Sequence, residues 1–561
     1  MDPALTNHRN LTMADLIGFV EQDAELTATK RRNLTSSIRR FVEIVRGTLQ
    51  MPASFSVLRN ASRSVSPAAA GIGRSRWSNI RSDLKFILDR SDAPTRAPLR
   101  KDLVADWQIL RTLVDHDFPT KLGLSNLFHW CSARGIQPND VCDAVMELYR
   151  EDLHTRSLRI NPDRRHQRTC VLWNRAAAHY PQWPRQEVTV PKYRRTISFP
   201  WDSFPKPFRD DLDSYTVLMT GDDLMAENAP DRLRKPSTMA HQREQIRRFA
   251  SALVHSGTPI EEITSLEVLV ERRNFERGFR YYLDWLGSNR PSLFEIASTL
   301  VVVAKAYVGL DADDVKELMR LRDRLKCRKR GMTVKNRERL RPFLDPRNQA
   351  RFLRLADRLI KEAKARGRTK KAALLVQIAL AHEIEIAAPL RLGNLAALNL
   401  NRHFRFVGGC TRATVYISIP SDEVKNEEPL EHPLPDRAAE LLDLYLRQYR
   451  SLLLDGPDEG WLFPGQGRGH KHEVTIRQQL CGAVFRHTGL TVNPHLYRHI
   501  AAFFYLQANP GDYETVRRLL GHKSVETTIM FYAEFERYPA LRQYNDCILR
   551  RREELADRVD W

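Results

Sequence analysis

The sequence predicts a mainly α-helical chain with a small antiparallel β-sheet confined to an α+β domain at the C-terminal end. Three observations carry that expectation. Apolar residues recur three and four positions apart over most of the chain. One stretch, Thr414–Ile419, alternates instead, and the polar turn Asp422–Pro429 lets Leu430–Leu434 return beside it as a second strand. The third is length: 561 residues exceed what one core can hold, so three or four domains are expected.

Residues 1–180 read as an N-terminal helical region of one or two modules. Leu11–Asp23, Lys30–Arg46 and Trp77–Arg90 carry helical periodicity, and the Ser/Ala/Gly-rich stretch Ser62–Ser75 reads as a loop. A second helical group runs from Leu122 to Tyr180. Residues 181–237 hold eight prolines and no helical period, which predicts a linker with a short strand at Glu187–Val190. Periodicity resumes over 238–327, a third helical domain. Residues 328–342 are a basic connector. In 343–561, Asp345 followed by Pro346 is a helix-start signal for a long helix to about Lys364. A second apolar helix covers Ala372–Ile386, and helices resume after the sheet at Ala438–Leu454.

Charge narrows the partner. Lys and Arg number 89 against 69 Asp and Glu, a net charge of +20. An excess of that size on a folded chain points to a polyanion, and nucleic acid comes first because each phosphate contact releases counterions. Seven cysteines without a CxxC pair argue against a disulfide framework or zinc ribbon. No apolar run is expected to span a membrane, and the first residues lack a secretion-signal layout, so a cytoplasmic, nucleoid-associated protein is expected. No GxxxxGK[ST] phosphate loop occurs. His495 and His499 lie four apart but lack the acid of an HExxH zinc site, and His470 and His472 lie in a Gly-rich loop, so no metal or other cofactor is expected.

Two features outside the C-terminal domain are candidate nucleic-acid contacts. Ile38-Arg39-Arg40-Phe41 is echoed by Ile246-Arg247-Arg248-Phe249, by module duplication or by chance, which makes Arg247 and Arg248 candidates. The connector from Lys326 to Arg341 adds Lys326, Arg328, Lys329, Arg330 and Lys335, either tracking a phosphate backbone or forming a solvated linker.

The chemistry concentrates between residues 391 and 532. The segments APLRLGNLAALNL (Arg391), SDEVKNEEPLEHPLP (Lys425), PHLYRH (His495, Arg498) and LLGHKSVETTIMFYA (His522, Tyr532) follow one another in that order. Together they resemble the boxes of the tyrosine recombinase, or phage-type integrase, family. The resemblance covers about the last 200 residues well and the 240–325 segment loosely. It implies a catalytic set of Arg391, Lys425, His495, Arg498, His522 and the nucleophile Tyr532, acting on double-stranded DNA through a 3′-phosphotyrosyl intermediate without an energy cofactor. It also implies a helical core-binding domain at 238–327, a homotetramer on paired DNA sites, and service to a mobile element, with a partner recombinase or an accessory DNA-bending protein as further partners. The alternatives are a resolvase or topoisomerase-like strand transferase and a catalytically decayed DNA-binding assembly protein.

The residue types fit that chemistry. Two guanidiniums can each pair with phosphate oxygens, and losing such a preorganised contact costs on the order of 3 kcal/mol in the transition state. A phenol with an ordinary pKa near 10 needs help losing its proton. His495 is a candidate proton acceptor or phosphate hydrogen-bonder, Lys425 the general acid for the departing 5′ oxygen, and His522 a phosphate hydrogen-bond donor. Tyr538 and Tyr497 are the rival nucleophiles, and Lys471 the alternative lysine. Two positions depart from the family pattern. Asn394 stands where many members carry an acid, and the interval from His522 to Tyr532 is one residue longer than in the commonest members.

Overall fold

A computed structural model describes residues 11–63, 65–91, 103–191, 198–221, 233–327, 331–407, 414–424, 427–533 and 537–556. The chain divides into two compact units, residues 1–190 with 330–561, and residues 191–329. The fold is mainly α with one small antiparallel sheet.

The first unit contains three apolar cores. Helices Met13–Gln22, Ala28–Val45, Phe55–Arg63 and Arg74–Ser91 surround Leu16, Leu34, Ile38, Phe41 and Leu84. Thr12 and Asp15 cap the first helix reciprocally, satisfying two of its free N–H groups. Helices Ala105–Leu113, Phe118–Ala133, Asp143–Thr155 and Pro162–His179 form a second core around Trp107, Phe128, Tyr149 and Trp173. Phe55–Arg63 shortens the expected loop at Ser62–Ser75, because Leu58 on its inner face completes the first core. The rest of that loop places Ala68 in the C-terminal core, where its carbonyl accepts a hydrogen bond from Asn348 Nδ2 at 3.3 Å.

The third core belongs to the C-terminal half. Helix Lys370–Ala387 runs through its middle, and Ala379, Leu380 and Ile384 are fully buried. The expected long helix from Pro346 is two, Pro346–Leu353 and Leu355–Ala365, because Arg354 leaves helical geometry. The sheet has three strands where two were expected: β1 Phe404–Val407, β2 Thr414–Ile419 and β3 Leu430–Pro433, in that order. Ile417 pairs with Phe404 on one side and His432 on the other. β1 escapes the alternation signal because only Phe404 of its four residues is buried.

In the second unit, helix Pro236–His255 packs on Arg272–Leu286 and Pro291–Val303 through Phe249, Phe279 and Leu300. Two expectations need correction here. The Pro-rich stretch contains helix Lys206–Thr220, whose Phe208, Leu212 and Tyr215 are fully buried in this core. Its Pro207 sits in the first turn, where a proline costs no hydrogen bond. Residues Pro291–Val308 are also long and apolar enough to cross a membrane, but Leu293, Ile296 and Leu300 are core residues of this unit. A further expectation fails in the first unit. Glu187–Val190 forms no strand, because the Asn174 side chain takes both the N–H and the carbonyl of Val188.

Candidate active site

Arg391 is the N-cap residue of helix Leu392–Ala396. The apolar residues before it explain its placement: Ala388 and Leu390 are buried, which draws the segment into the core while the guanidinium stays half-buried. His495 and Arg498 lie one turn apart on helix Pro494–Ala508. That helix starts where it does because Asn493 accepts from the Leu496 N–H and Pro494 occupies the first turn.

Arg498 is 5% exposed. Its Nη1 donates to the Pro389 carbonyl at 2.6 Å, and its Nη2 donates to the Leu520 carbonyl. One guanidinium thus ties the segment leading into Arg391 to the turn leading into His522. Gly521 makes that turn possible at φ +58, a left-handed conformation that closes helix Tyr513–Leu520. His522 Nδ1 then lies 2.9 Å from Thr528 Oγ1. Ser524 caps helix Val525–Tyr532 on the Thr527 N–H, and the last residue of that helix is the tyrosine in question.

Tyr532 is 2% exposed, with its hydroxyl hydrogen bonded to His499 Nδ1 at 3.0 Å. The His522 ring lies parallel to it, centroids 6.3 Å apart. The structure therefore brings together five of the six candidates. Lys425 lies outside the described residues.

Burial raises the Tyr532 pKa, and Arg498 opposes the rise. This phenol is protonated at neutral pH. His495 is pushed down by burial, then by Arg498 and Arg391. His522 is lowered to about 4 by burial, then by the same two arginines and His495. His499 falls to about 3 through burial, His495, Arg498 and His522. Burial also lowers both arginines, and Arg391 further depresses Arg498. The pocket is therefore two desolvated guanidiniums ringed by neutral imidazoles, an arrangement suited to an anion that accepts several hydrogen bonds.

Sequence reasoning missed three neighbours of this pocket. His499 touches the tyrosine hydroxyl, whereas its four-residue spacing from His495 raises only the question of a metal when read in sequence. His432 on β3 is lowered by burial and by Arg498. Glu385 is fully buried, neither carboxylate oxygen has a hydrogen-bond partner among the described residues, and burial raises its pKa well above the usual carboxylate value while Arg498 opposes. A carboxylate within the apolar run IALAHEIEIA was the available signal for it.

One of the two departures has a local structural correlate. Asn394 Nδ2 donates to the Glu423 carbonyl at 3.0 Å, anchoring the turn that leads to Lys425. Glu423, two residues before Lys425, is engaged by Arg402 and by His403 Nε2. The alternative lysine, Lys471, donates to Gln377 Oε1. Burial lowers it to about 8, and the charge that adds to this is Lys370, not a member of the pocket.

Of the other candidates, Arg247 is paired with Glu244 and lies over the Trp201 ring at 5.7 Å. The Arg248 carbonyl accepts from the Tyr282 hydroxyl. Lys326 and Lys335 are exposed, while Arg328, Lys329 and Arg330 lie outside the described residues.

Residues 355–537 match the phage integrase family. Over 103 residues the chain is 36% identical to Tyrosine recombinase XerD of Brucella suis biovar 1 (strain 1330), covering 18% of this chain and 32% of that protein. Tyrosine recombinase XerD of Brucella abortus biovar 1 (strain 9-941) is 35% identical over the same shares. The matching segment thus spans about a third of the length of these curated relatives. A crystal structure of XerH site-specific recombinase bound to difH substrate is 13% identical over 57% of this chain and 89% of that chain, with a TM-score of 0.30.

Proposed function

We propose, from a C-terminal domain that belongs to the tyrosine recombinase family, that this chain cuts and rejoins double-stranded DNA at specific sites through a 3′-phosphotyrosyl bond at Tyr532. The observation that carries this reading is a pocket in which Arg391, Arg498, His495 and His522 act on one another and Arg498 acts on Tyr532. The scissile phosphate docks between the two guanidiniums. The phenol oxygen bonds to phosphorus as the bond to the 5′ oxygen breaks. Lys425 protonates that oxygen, and the ester conserves the bond energy for religation. His495 and His499 are the imidazoles available to take the phenol proton.

The buried, protonated tyrosine is a resting state. Its hydroxyl must exchange the His499 hydrogen bond for an approach to phosphorus before chemistry starts. The other domains follow the same reading. The helical unit containing 238–327 and the basic connector add DNA contacts, and four protomers assemble on paired sites. The C-terminal helix Arg537–Ala556 exposes Leu541, Tyr544, Ile548 and Leu555, an apolar surface suited to a neighbouring protomer. A tail-deleted chain that still forms tetramers on DNA overturns that last assignment.

The direct test exposes the full chain to a library of nicked duplexes and isolates protein–DNA adducts that survive denaturation. Adducts should form, map to Tyr532 by mass spectrometry and vanish in Tyr532→Phe. An adduct on Tyr538 or Tyr497, or none at all, refutes the proposal. Sequencing the trapped DNA and the products from paired sites separates integration and excision from simple relaxation or resolution.

A further inference from the structure

The pocket above is built from residues of the C-terminal half, yet residues 1–190 hold a strongly basic cleft of their own. A cleft of about 730 Å³ opens between helix Arg74–Ser91 and helices Phe118–Ala133, Asp143–Thr155 and Pro162–His179. Arg81, Lys85, Arg134, Arg156, Arg159 and Arg165 line it, and Asp152 is its one lining acid. A second cavity shares Asn126, His129, Arg159 and Arg165 with the first and adds Arg164 and Arg168, so the two form one continuous groove.

The carboxylates within reach are already engaged. Asp152 bonds Arg134 at 2.9 Å and lies 3.9 Å from Arg156, and Lys85 bonds Asp89 at 2.6 Å. Just outside, Asp163 is held by His154 and Arg150. Arg81, Arg159 and Arg165 form no ion pair with a described acid. Arg159 is depressed by burial of its guanidinium and then by Arg165, with Tyr149 opposing and Arg81 adding to the fall, so these guanidiniums repel one another without a carboxylate between them. Arg81 Nε, Arg165 Nε and Trp130 Nε1 are buried without an acceptor among the described residues, and all three residues line the groove. Buried donors and unrelieved guanidiniums are both costly in a folded chain, and one kind of ligand relieves both: an anion rich in acceptor oxygens.

We propose that this groove binds phosphate groups, and that its occupant is the backbone of a DNA strand lying outside the reacting site. Its extent over two adjoining cavities favours a chain of phosphates over one small anion, and the guanidiniums match phosphate oxygens bidentately. The Arg59 guanidinium, which donates to the His154 and Ser157 carbonyls, and Arg81, which donates to the Leu158 carbonyl, join the two N-terminal helical modules and hold the groove open between them.

Arg159 and Arg168 are exposed, and no hydrogen bond ties their side chains to a described residue, so substituting them leaves the fold intact. The full chain and its Arg159→Ser/Arg168→Ser variant are compared by fluorescence anisotropy on a long duplex across a salt series. Loss of two phosphate contacts should reduce the slope of log affinity against log salt by about 2. Equal slopes overturn the assignment to DNA. A parallel thermal-shift series uses inorganic tripolyphosphate. Equal slopes together with a wild-type stabilisation that the variant lacks would reassign the groove to a free polyphosphate. Equal slopes with no such stabilisation would remove the phosphate site altogether. Adduct formation at Tyr532 is read separately on a short nicked duplex and should not change, so failure here is distinguishable from failure of the recombinase reading.

Discussion

Arg498 carries two duties that a lysine cannot share. Its planar fork spans the Pro389 and Leu520 carbonyls and, under the proposed function, also grips the scissile phosphate. Arg498→Lys should therefore lower the rate of adduct formation by about 10² to 10³, with a much smaller loss in DNA affinity; single-turnover trapping measures both. The imidazoles make a second prediction at this scale. His522 is held near 4 by burial and by two arginines, and a bound phosphodiester offsets those positive charges. Its pKa then rises toward the ordinary 6.5, so binding takes up protons between about pH 4 and 6.5 and tightens as pH falls. Calorimetry in buffers of different ionisation enthalpy should detect that uptake, and it should diminish in His522→Asn. Residue order and type pointed to candidates of which five share one pocket. The contacts of His499, His432 and Glu385 with that pocket were not legible, because they arise between segments distant in sequence.

Elements set how these residues meet. Helix Val525–Tyr532 is approached on one side by the connector: a Cβ on Gly331 would lie 2.2 Å from the Met530 carbonyl. Gly331→Ala must displace either the connector or the helix ending in Tyr532, since the clash is with backbone. Adduct formation should slow by roughly tenfold, on the order of 1.4 kcal/mol, with DNA binding retained. Unaltered trapping would mean that the helix is free to move without cost. Helix Lys370–Ala387 supplies a stability prediction. His382 is fully buried, with its ring nitrogens on the Tyr497 hydroxyl and the Phe352 carbonyl, and burial lowers it to about 4. A depressed folded-state pKa stabilises above the unfolded value of 6.5, and that stability is lost as pH falls toward 4. At full extent it amounts to roughly 3 kcal/mol. The thermal midpoint should drop between pH 7 and 5, and His382→Asn should flatten the drop. Long helices and the alternating β2 were readable from periodicity. Helix Lys206–Thr220 was hidden by prolines on both sides of its start, and β1 by its exposed residues.

For the whole molecule, sequence periodicity separated an N-terminal helical region from the C-terminal domain. It gave no sign that the two share a core, because Ala68 sits in a Ser/Ala/Gly-rich stretch with no pattern of its own. That alanine is 3% exposed among C-terminal residues, Asn348 bonds its carbonyl, and the Arg74 guanidinium lies over the Phe485 ring nearby. Ala68→Glu should bury a charge without a partner and destabilise the C-terminal half by several kcal/mol, readable as a lower thermal midpoint and slower trapping at Tyr532. The same contact bears on how fragments of the protein behave in the test tube. A chain cut to the family-matched segment alone would bare the socket that Ala68 fills, and greasy surface of that kind promotes clumping at working concentrations. Keeping residues 65–91 in any minimal version, joined covalently or added in trans, should restore a well-behaved monomer.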